Sequence, residues 1–314
     1  MSHIYNIDLI YLWVDGGDEK WLKKKQHYTG NVFDNTESNC KGRYVDNNEL
    51  KYSLRSISKN LPWIRKIFIV TDCQTPKWIN INNPKIQIID HSVIMPPETL
   101  PCFNTTVIEY YLYKIPGLSE RFLIANDDLF VNKKLTPDYF FNREGYPIVR
   151  LKRKLLGRWH YFFKKLVGLK IGQYSTMLLD SSLLIEEKFG IKYTAVPHHN
   201  IDAYCREDYT NAVEQVFNNQ INISKSNQIR NYGDLHRSAF SYYILAIKHA
   251  ELKYVGRKQS SRILPYKHNL IKYYKQYNPD LFCINDNQRV TDNQRKEIQP
   301  FLELVFPLKS EFEI

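Results

Sequence analysis

The chain has 314 residues, of which 43% are hydrophobic, so it can bury a substantial core as one large domain or two modest ones. The abundance of Tyr (23) and Phe (16) and the scarcity of Gly (12) exclude collagen-like and linker-rich classes. No apolar run approaches the ~18 residues that span a bilayer, and the N-terminus lacks a basic leader, so we predict a cytoplasmic protein. The five cysteines include no CxxC pair, which predicts reduced thiols rather than a disulfide frame or a zinc site.

The charge of the chain is concentrated in one segment. The 44 Lys and Arg exceed the 33 Asp and Glu, which gives a formal net charge of +11. Between Glu144 and Asp180 there is no acidic residue, and aromatic residues are interleaved with these basic ones: Arg150, Lys152, Arg153, Lys154, Arg158, Lys164, Lys165 and Lys170. The run suits a polyanionic acceptor or peripheral contact with an anionic membrane surface. A solvated basic face explains any single charge equally well, but explains the whole run less well.

Short apolar runs alternate with helical spacing along the first half of the chain. Strands are predicted at 7–13, 67–70, 86–89 and 122–125, and helices at 50–61, with Asp46 as candidate N-cap, and at 105–115. This alternation predicts an α/β fold with a Rossmann-like core and a mainly parallel sheet. The second half is predicted to be more helical, with helices near 211–217, 234–250 and 291–304.

A soft boundary follows Phe141, in the approach to the basic segment. We therefore expect residues 1–145 to form the α/β part and residues 146–314 to supply the basic segment and a helical part that completes one catalytic unit. Ligands of such sheets bind beyond the carboxyl ends of the strands, so the polar residues at these ends are expected to line one crevice.

The sharpest motif is an apolar strand, residues 122–125, that delivers Asn126, Asp127 and Asp128 to its tip. Two carboxylates and an amide suit Mg²⁺ or Mn²⁺, hard cations that take oxygen ligands and bridge to diphosphate oxygens. A turn in which Asn and Asp cap the next element explains the same residues. The motif alone favours neither interpretation.

Other candidate residues are weaker in isolation. Asp15 follows the first strand and precedes two glycines, which would allow the backbone to approach a nucleotide closely, although Asp-Gly turns are common. The adjacent pair His198 and His199 supplies an imidazole for acid/base work, with His198 as the candidate, and Arg230 supplies a guanidinium for a phosphoryl group, although most such residues are structural. Asp286, between two asparagines, offers one more metal ligand or a turn. No GxSxG elbow, P-loop or GxGxxG is present, which excludes the hydrolase, NTPase and dinucleotide classes.

Together these blocks resemble the Stealth family of capsular polysaccharide sugar-phosphate transferases, which are similar to the catalytic subunit of the animal N-acetylglucosamine-1-phosphotransferase. The resemblance runs nearly end to end, through 7–16, 43–57, 62–78, 100–128, 197–202, 229–243, 284–286 and 301–307. Cys73 and Cys102 depart from the usual residues, and both changes are small. The resemblance implies a nucleotide-sugar-binding core of the GT-A type.

Carried onto this sequence, the family pattern implies a role for each candidate residue. Donor binding falls to Asp15, Gly16, Arg43, Ser53 and Asn126, metal binding to Asp128 and Asp286, and catalysis to His198, Arg230, Asp127 and Asp128. The charge of the basic segment, rather than the family pattern, makes these residues candidates for acceptor or polyanion binding: Arg150, Lys152, Arg153, Lys154 and Arg158. The implied cofactor is Mg²⁺ or Mn²⁺, the donor a UDP-sugar and the acceptor a glycan or capsular polysaccharide.

Three functions are compatible with these residues. In the preferred hypothesis hexose 1-phosphate moves to a glycan hydroxyl and UMP is released. The first alternative is a metal-dependent glycosyltransferase that attacks the anomeric carbon and releases UDP. The second is a non-enzymatic polyanion-binding module, for nucleic acid for example, but carboxylates at several strand ends argue against it, and we expect no nucleic-acid partner.

Overall fold

The computed structural model describes residues 5–34, 36–154 and 157–314. Within these residues the strands are β1 Ile7–Leu12, β2 Ile67–Thr71, β3 Ile86–Asp90, β4 Arg121–Asn126, β5 Leu129–Val131, β6 Ile148–Lys152, β7 Val196–Pro197, β8 Asp202–Cys205, β9 Glu251–Tyr254, β10 Ser260–Ile263 and β11 Leu281–Ile284. The α-helices are α1 Glu19–Thr29, α2 Glu49–Asn60, α3 His91–Ile94, α4 Thr105–Glu109, α5 Trp159–Leu166, α6 Gln173–Phe189, α7 Arg206–Asn211, α8 Asn218–Ser224, α9 Ser238–Ala246, α10 Leu270–Tyr277, α11 Asp292–Lys296 and α12 Ile298–Val305.

The central sheet has five strands in the order β3-β2-β1-β4-β8. Strands β3, β2, β1 and β4 are parallel, and Ile10 of β1 pairs with Phe68 of β2 and Ile124 of β4. All residues of β1 and β2 are buried, as expected for parallel strands that are covered on both faces. The predicted α/β class with a mainly parallel sheet is therefore confirmed; the added edge strand β8 is antiparallel to β4.

A hydrophobic core lies on each face of this sheet. On one face Phe122 and Ile124 pack with residues of α4, α7 and α9, and on the other Leu123 packs with Leu50 and Leu54 of α2. Helix α2 is amphipathic because its apolar residues recur every three to four positions. It begins at Glu49 after Asn48, which is in the left-handed region (φ 64°) and gives no side-chain cap.

The structure corrects one capping prediction and adds strands to the second half. Asp46 is not the N-cap of α2; its Oδ1 accepts a hydrogen bond from the Asn48 backbone N–H at 2.8 Å and so closes the preceding turn. The predicted helix at 105–115 ends early at Glu109, and a 3-10 turn follows at Leu112–Lys114. The second half contributes strands β6 to β11, which the sequence reading did not predict.

Strands from both predicted parts of the chain pair with one another. Strand β8 lies beside β4, and β11 joins β5 in a second sheet of order β10-β11-β5. A third sheet has the order β7-β6-β9. These pairings bring residues of both halves to the carboxyl ends of β1 and β4. Among the described helices, none combines the length and apolar character needed to cross a bilayer.

Candidate active site

A cavity of about 450 Å³ opens at the carboxyl ends of the central strands. Val14 and Asn126 reach it from the ends of β1 and β4, and residues from distant loops close it, including Arg43, His199, Arg230 and Asn285. The position is the one at which open α/β sheets bind ligands. Both halves of the chain therefore build this cavity.

Carboxylates cluster at one side of the cavity. One ligand oxygen from each of Asp46, Glu49 and Asp127 lies within 4.8 Å of the other two. Asp127 and Asp128 occupy the turn between β4 and β5, while Asp46 and Glu49 enter from the start of α2. Neither Asp46 nor Glu49 was selected from the sequence, although the three-residue spacing of two acids at a helix start was a visible signal.

The carboxylates raise one another's proton affinity. Burial, reinforced by neighbouring carboxylates, raises the pKa of Asp46 to about 6, of Asp128 to about 7 and of Glu49 to about 8. The pKa of Asp127 is raised well above its usual range by burial and by the charges of Asp128 and Asp46. Like charges that share a desolvated site disfavour ionisation, so this site gains stability from a cation or from protons.

Two oxygens beside this cluster lack partners. Asn126 Oδ1 and Asp128 Oδ1 are buried and accept no hydrogen bond from any described residue. An orphaned buried acceptor costs about 1–3 kcal/mol, so each needs a donor or a cation. Oxygen-only donors from carboxylates and an amide are those that Mg²⁺ and Mn²⁺ take. The residues present therefore fit a hard divalent cation.

Asp286 reaches the cavity wall but is occupied by another residue. Its two oxygens accept hydrogen bonds from Arg295 at 2.6 and 2.9 Å. A Cβ on residue 42 would lie only 2.4 Å from Asp286 Oδ1. Glycine at this position therefore allows the loop that carries Arg43 to pack against Asp286. The metal-ligand role of Asp286 remains a prediction, whereas the structure shows it holding this loop.

Arg43 and Arg230 lie on the cavity wall without a carboxylate partner among the described residues, as do Arg262 and Arg289. Arg43 donates from Nε to the Glu37 carbonyl, and Arg230 Nε is buried with no hydrogen-bond partner in the described chain. Burial, followed by the charge of Arg230, lowers the pKa of Arg43 to about 10. Two half-buried guanidiniums that repel one another suit an anion with several oxygens, such as a phosphate.

The two adjacent histidines differ in their surroundings. His198 is buried, with Nδ1 3.0 Å from Ser260 Oγ and Nε2 3.4 Å from Asp202 Oδ1, so both ring nitrogens have partners. His199 is only partly buried, and its Nε2 has a single long contact of 3.5 Å to Asn285 Nδ2. Burial and the charge of Arg262 hold the pKa of His199 well below its usual range, which keeps the imidazole neutral. Both histidines line the cavity, and His199, the second histidine of the predicted pair, is the one whose ring has fewer hydrogen-bond partners.

An ion-pair network lies behind the histidines. Arg237 contacts Glu109 at 3.0 Å and Asp202 at 3.1 Å, and Asp202 in turn contacts His198. The Tyr174 ring meets His199 edge to face, with centroids 5.7 Å apart. His198, Asp202, Arg237 and Glu109 all line the cavity, so the network forms part of its wall, and the catalytic role of His198 stays a prediction.

Three of the predicted donor-binding residues lie at the edge of the cavity or behind it. Asp15 faces a neighbouring depression of about 490 Å³, which shares Trp13, Trp21 and Asp72 with the cavity. Gly16 donates its N–H to the Tyr44 carbonyl at 2.7 Å. Ser53 is fully buried, and its hydroxyl donates a hydrogen bond to the carbonyl of Leu129, the residue after Asp128. Its side chain therefore holds the turn that carries Asp128 and does not face the cavity.

Gly16→Ala is expected to destabilise the protein by about 1–3 kcal/mol, because the new Cβ would lie 2.2 Å from the Tyr44 carbonyl oxygen. Since Tyr44 adjoins Arg43, donor affinity should fall as well. Urea denaturation measures the first effect. Gly256→Ala is the control, because a Cβ there meets Gln259 Oε1 at an ordinary 3.5 Å. Equal stability of the two variants would contradict the close backbone approach at Gly16.

The predicted acceptor residues divide into buried and exposed groups. Arg150 is buried, with its guanidinium 3.8 Å from the Tyr139 ring centroid, and Arg158 pairs with Glu186 and Ser182, so both have internal partners. Burial lowers the pKa of half-buried Lys152. Arg153 and Lys154 are exposed, and the Arg153 guanidinium lies 4.2 Å from the Tyr254 ring centroid.

The fold and the cavity define an α/β protein whose cavity carries carboxylates on one side and arginines on its wall. Three family models match the chain: Stealth protein CR1, conserved region 1, over residues 5–32; CR2, conserved region 2, over 43–149; and CR4, conserved region 4, over 275–314. The chain belongs to the Stealth family and is an enzyme of the transferase class.

Relatives of similar length extend this comparison. The exopolysaccharide phosphotransferase cps2G of Lactiplantibacillus plantarum is 30% identical over 98% of this chain and 96% of its own. The capsular polysaccharide phosphotransferase fcs1 of Haemophilus influenzae is 33% identical over 96% of this chain and 84% of its own. Among solved structures, galactosyltransferase LgtC, in complex with donor and acceptor sugar analogues, is similar with 12% identity and a TM-score of 0.48 over 96% of both chains.

Proposed function

We propose that the protein transfers hexose 1-phosphate from a UDP-sugar to a hydroxyl of a capsular or extracellular glycan, releasing UMP and forming a phosphodiester. The observation that carries this proposal is the meeting, in one cavity, of a carboxylate cluster, two arginines without carboxylate partners and a neutral histidine. Two relatives, the exopolysaccharide phosphotransferase cps2G and the capsular polysaccharide phosphotransferase fcs1, support the same reaction class.

The cationic wall is suited to the transferred phosphate. Arg43 and Arg230 present guanidinium N–H groups that match phosphoryl oxygens, and the buried, unpartnered Nε of Arg230 gains a hydrogen bond when such an oxygen arrives. Phosphoryl transfer needs charge neutralisation and in-line positioning more than covalent catalysis. The two arginines supply both.

The carboxylate cluster is suited to a divalent cation. Asp46, Glu49 and Asp127 would hold it, with Asn126 and Asp128 offering their orphaned oxygens. A bound Mg²⁺ or Mn²⁺ would neutralise diphosphate charge and stabilise the charge that develops on the leaving group. The protein's own contribution is to keep these oxygens together in spite of their mutual repulsion.

His199 is the candidate general base. Its neutral imidazole would take the proton of the acceptor hydroxyl as that oxygen bonds to phosphorus. The bond from phosphorus to the bridging diphosphate oxygen breaks, its electron pair leaves with the nucleoside monophosphate, and the anomeric carbon–oxygen bond stays intact. Asp127 and Asp128 are the rival bases, but their place in the carboxylate cluster suits cation binding better.

Identification of the released nucleotide tests the proposed function. With a panel of UDP-sugars, Mg²⁺ and capsule oligosaccharides, chromatography should show UMP in equal amount to the phosphodiester product, and a chelator should abolish its release. Release of UDP would instead make the protein a glycosyltransferase and overturn the proposed mechanism. Acceptor-free incubation is the control for slow hydrolysis of the donor.

A further inference from the structure

Helix α5 presents its apolar side chains to the solvent. Trp159, Phe162, Phe163 and Leu166 are 65%, 55%, 49% and 71% exposed, and their spacing of three and four residues places them on one face. The aromatic rings contact one another, with the Trp159 and Phe162 centroids 5.7 Å apart. An amphipathic helix of a globular protein normally turns this face toward the core, so here the orientation is inverted.

Polar contacts hold the helix in this orientation. The Tyr161 hydroxyl is hydrogen-bonded to Ser175 of α6. Arg158, at the N-cap of α5, donates to the Ser182 hydroxyl and pairs with Glu186, both also in α6. The inward side of α5 is therefore the polar one, and the outward apolar face is fixed by the fold.

The apolar face continues into the next segment and has basic residues near it in the sequence. Val167 and Leu169 are 65% and 58% exposed. Lys165 and Lys170 are exposed within the same segment, and Arg153 and Lys154 are exposed shortly before it in the sequence. The sequence from 145 to 179 contains no acidic residue. A free polyanion would use these charges but would gain nothing from six exposed apolar side chains. An anionic lipid surface uses both.

We propose that this face, formed by Trp159, Phe162, Phe163, Leu166, Val167 and Leu169, docks on the surface of an anionic phospholipid bilayer. The helix lies in the plane of the interface, with its apolar side chains among the acyl chains and the flanking lysines and arginines on headgroup phosphates. The exposed apolar side chains together with the nearby basic residues match an anionic membrane surface better than a protein partner.

Docking would also orient the cavity. Gly172, Tyr174 and Ser175 line it and follow the docking face within a few residues. The backbone N–H of Gln173 donates to Glu37 at 2.6 Å, which links this segment to the Arg43 loop. The rim of the cavity is thus held near the bilayer, which suits a glycan acceptor carried on a membrane lipid. This last step rests on the proposed function, whereas the docking itself does not.

Vesicle flotation of the full chain tests the docking. The protein should float with vesicles of phosphatidylcholine and phosphatidylglycerol, bind pure phosphatidylcholine at least about tenfold more weakly, and dissociate in high salt. Phe162→Ser with Leu166→Ser should lose binding, and Lys165→Gln with Lys170→Gln should weaken it about tenfold or more. The matched controls are Leu304→Ser with Leu308→Ser and Lys272→Gln with Lys275→Gln, at exposed positions elsewhere.

Two results would overturn the proposal. The first is equal binding to charged and uncharged vesicles, or none to either, by wild-type protein. The second is self-association of the wild-type protein that the Phe162 and Leu166 changes abolish without any change in flotation. That result would assign the face to contact with a second copy of the chain. Because flotation requires no turnover, its result does not depend on which nucleotide the protein releases. Failure of the docking proposal can therefore be distinguished from failure of the proposed function.

Discussion

Asp127→Asn should reduce turnover by about 10³-fold or more while making the cation-free protein more stable. The activity falls because the cluster loses one of three carboxylates whose ligand oxygens lie within 4.8 Å of one another, and cation-assisted stabilisation of the leaving group is worth several kcal/mol. Turnover is measured as UMP release at saturating Mg²⁺. Asp138→Asn, at an exposed carboxylate outside the cavity, is the control and should leave both properties unchanged.

The expected gain in stability follows from the pKa of Asp127. Because burial and Asp128 raise this pKa in the folded state, ionisation of the carboxyl opposes folding at any pH above its unfolded pKa. In chelator at pH 8 the neutral amide removes that cost, so the Tm of the variant should exceed that of the wild type by a few degrees. Near pH 3, below both pKa values, the gain should disappear.

The same cluster predicts how divalent cations act on stability. Mg²⁺ or Mn²⁺ should raise the Tm of the wild type, since a ligand that binds only the folded state stabilises it, and should leave Asp127→Asn nearly unchanged. A variant that stays active, or that is less stable than the wild type in chelator at pH 8, would refute the assignment of a cation site to this cluster.

His199→Gln should lower turnover by about 10²–10⁴-fold with little change in Tm, because His199 has only one long polar contact to lose and provides the proposed base. Since its pKa lies well below the usual range, the imidazole is neutral throughout the neutral pH range and can accept a proton without first losing one. Turnover and thermal denaturation, measured on the same preparation, separate the two effects.

His198→Gln is the matched comparison. His198 is buried between Ser260 and Asp202, so its replacement should cost about 1–3 kcal/mol of folding free energy and should reduce turnover less than His199→Gln does. If His198→Gln loses more activity at unchanged Tm while His199→Gln stays active, the base is His198, as the family resemblance implied.

The first half of the fold was predictable because its signals are local. Strands β1, β2, β3 and β4 are runs of Ile, Leu, Val and Phe ended by turn residues, and a parallel sheet buried on both faces produces that pattern. The second half was harder. Strands β6, β7 and β9 have two to five residues with Arg, Lys and Pro among them, and they exist because partners distant in the chain complete their hydrogen bonds.

By itself the sequence determined the family, the α/β class and the carboxylates at the tip of β4, since each depends on residues that are close together along the chain. Only the tertiary structure decided which acids join Asp127, because Asp46 and Glu49 lie about eighty residues away and reach it only when α2 packs on the sheet. It also distinguished His198 from His199, because only the tertiary structure shows that both ring nitrogens of His198 have partners, whereas Nε2 of His199 has one long contact.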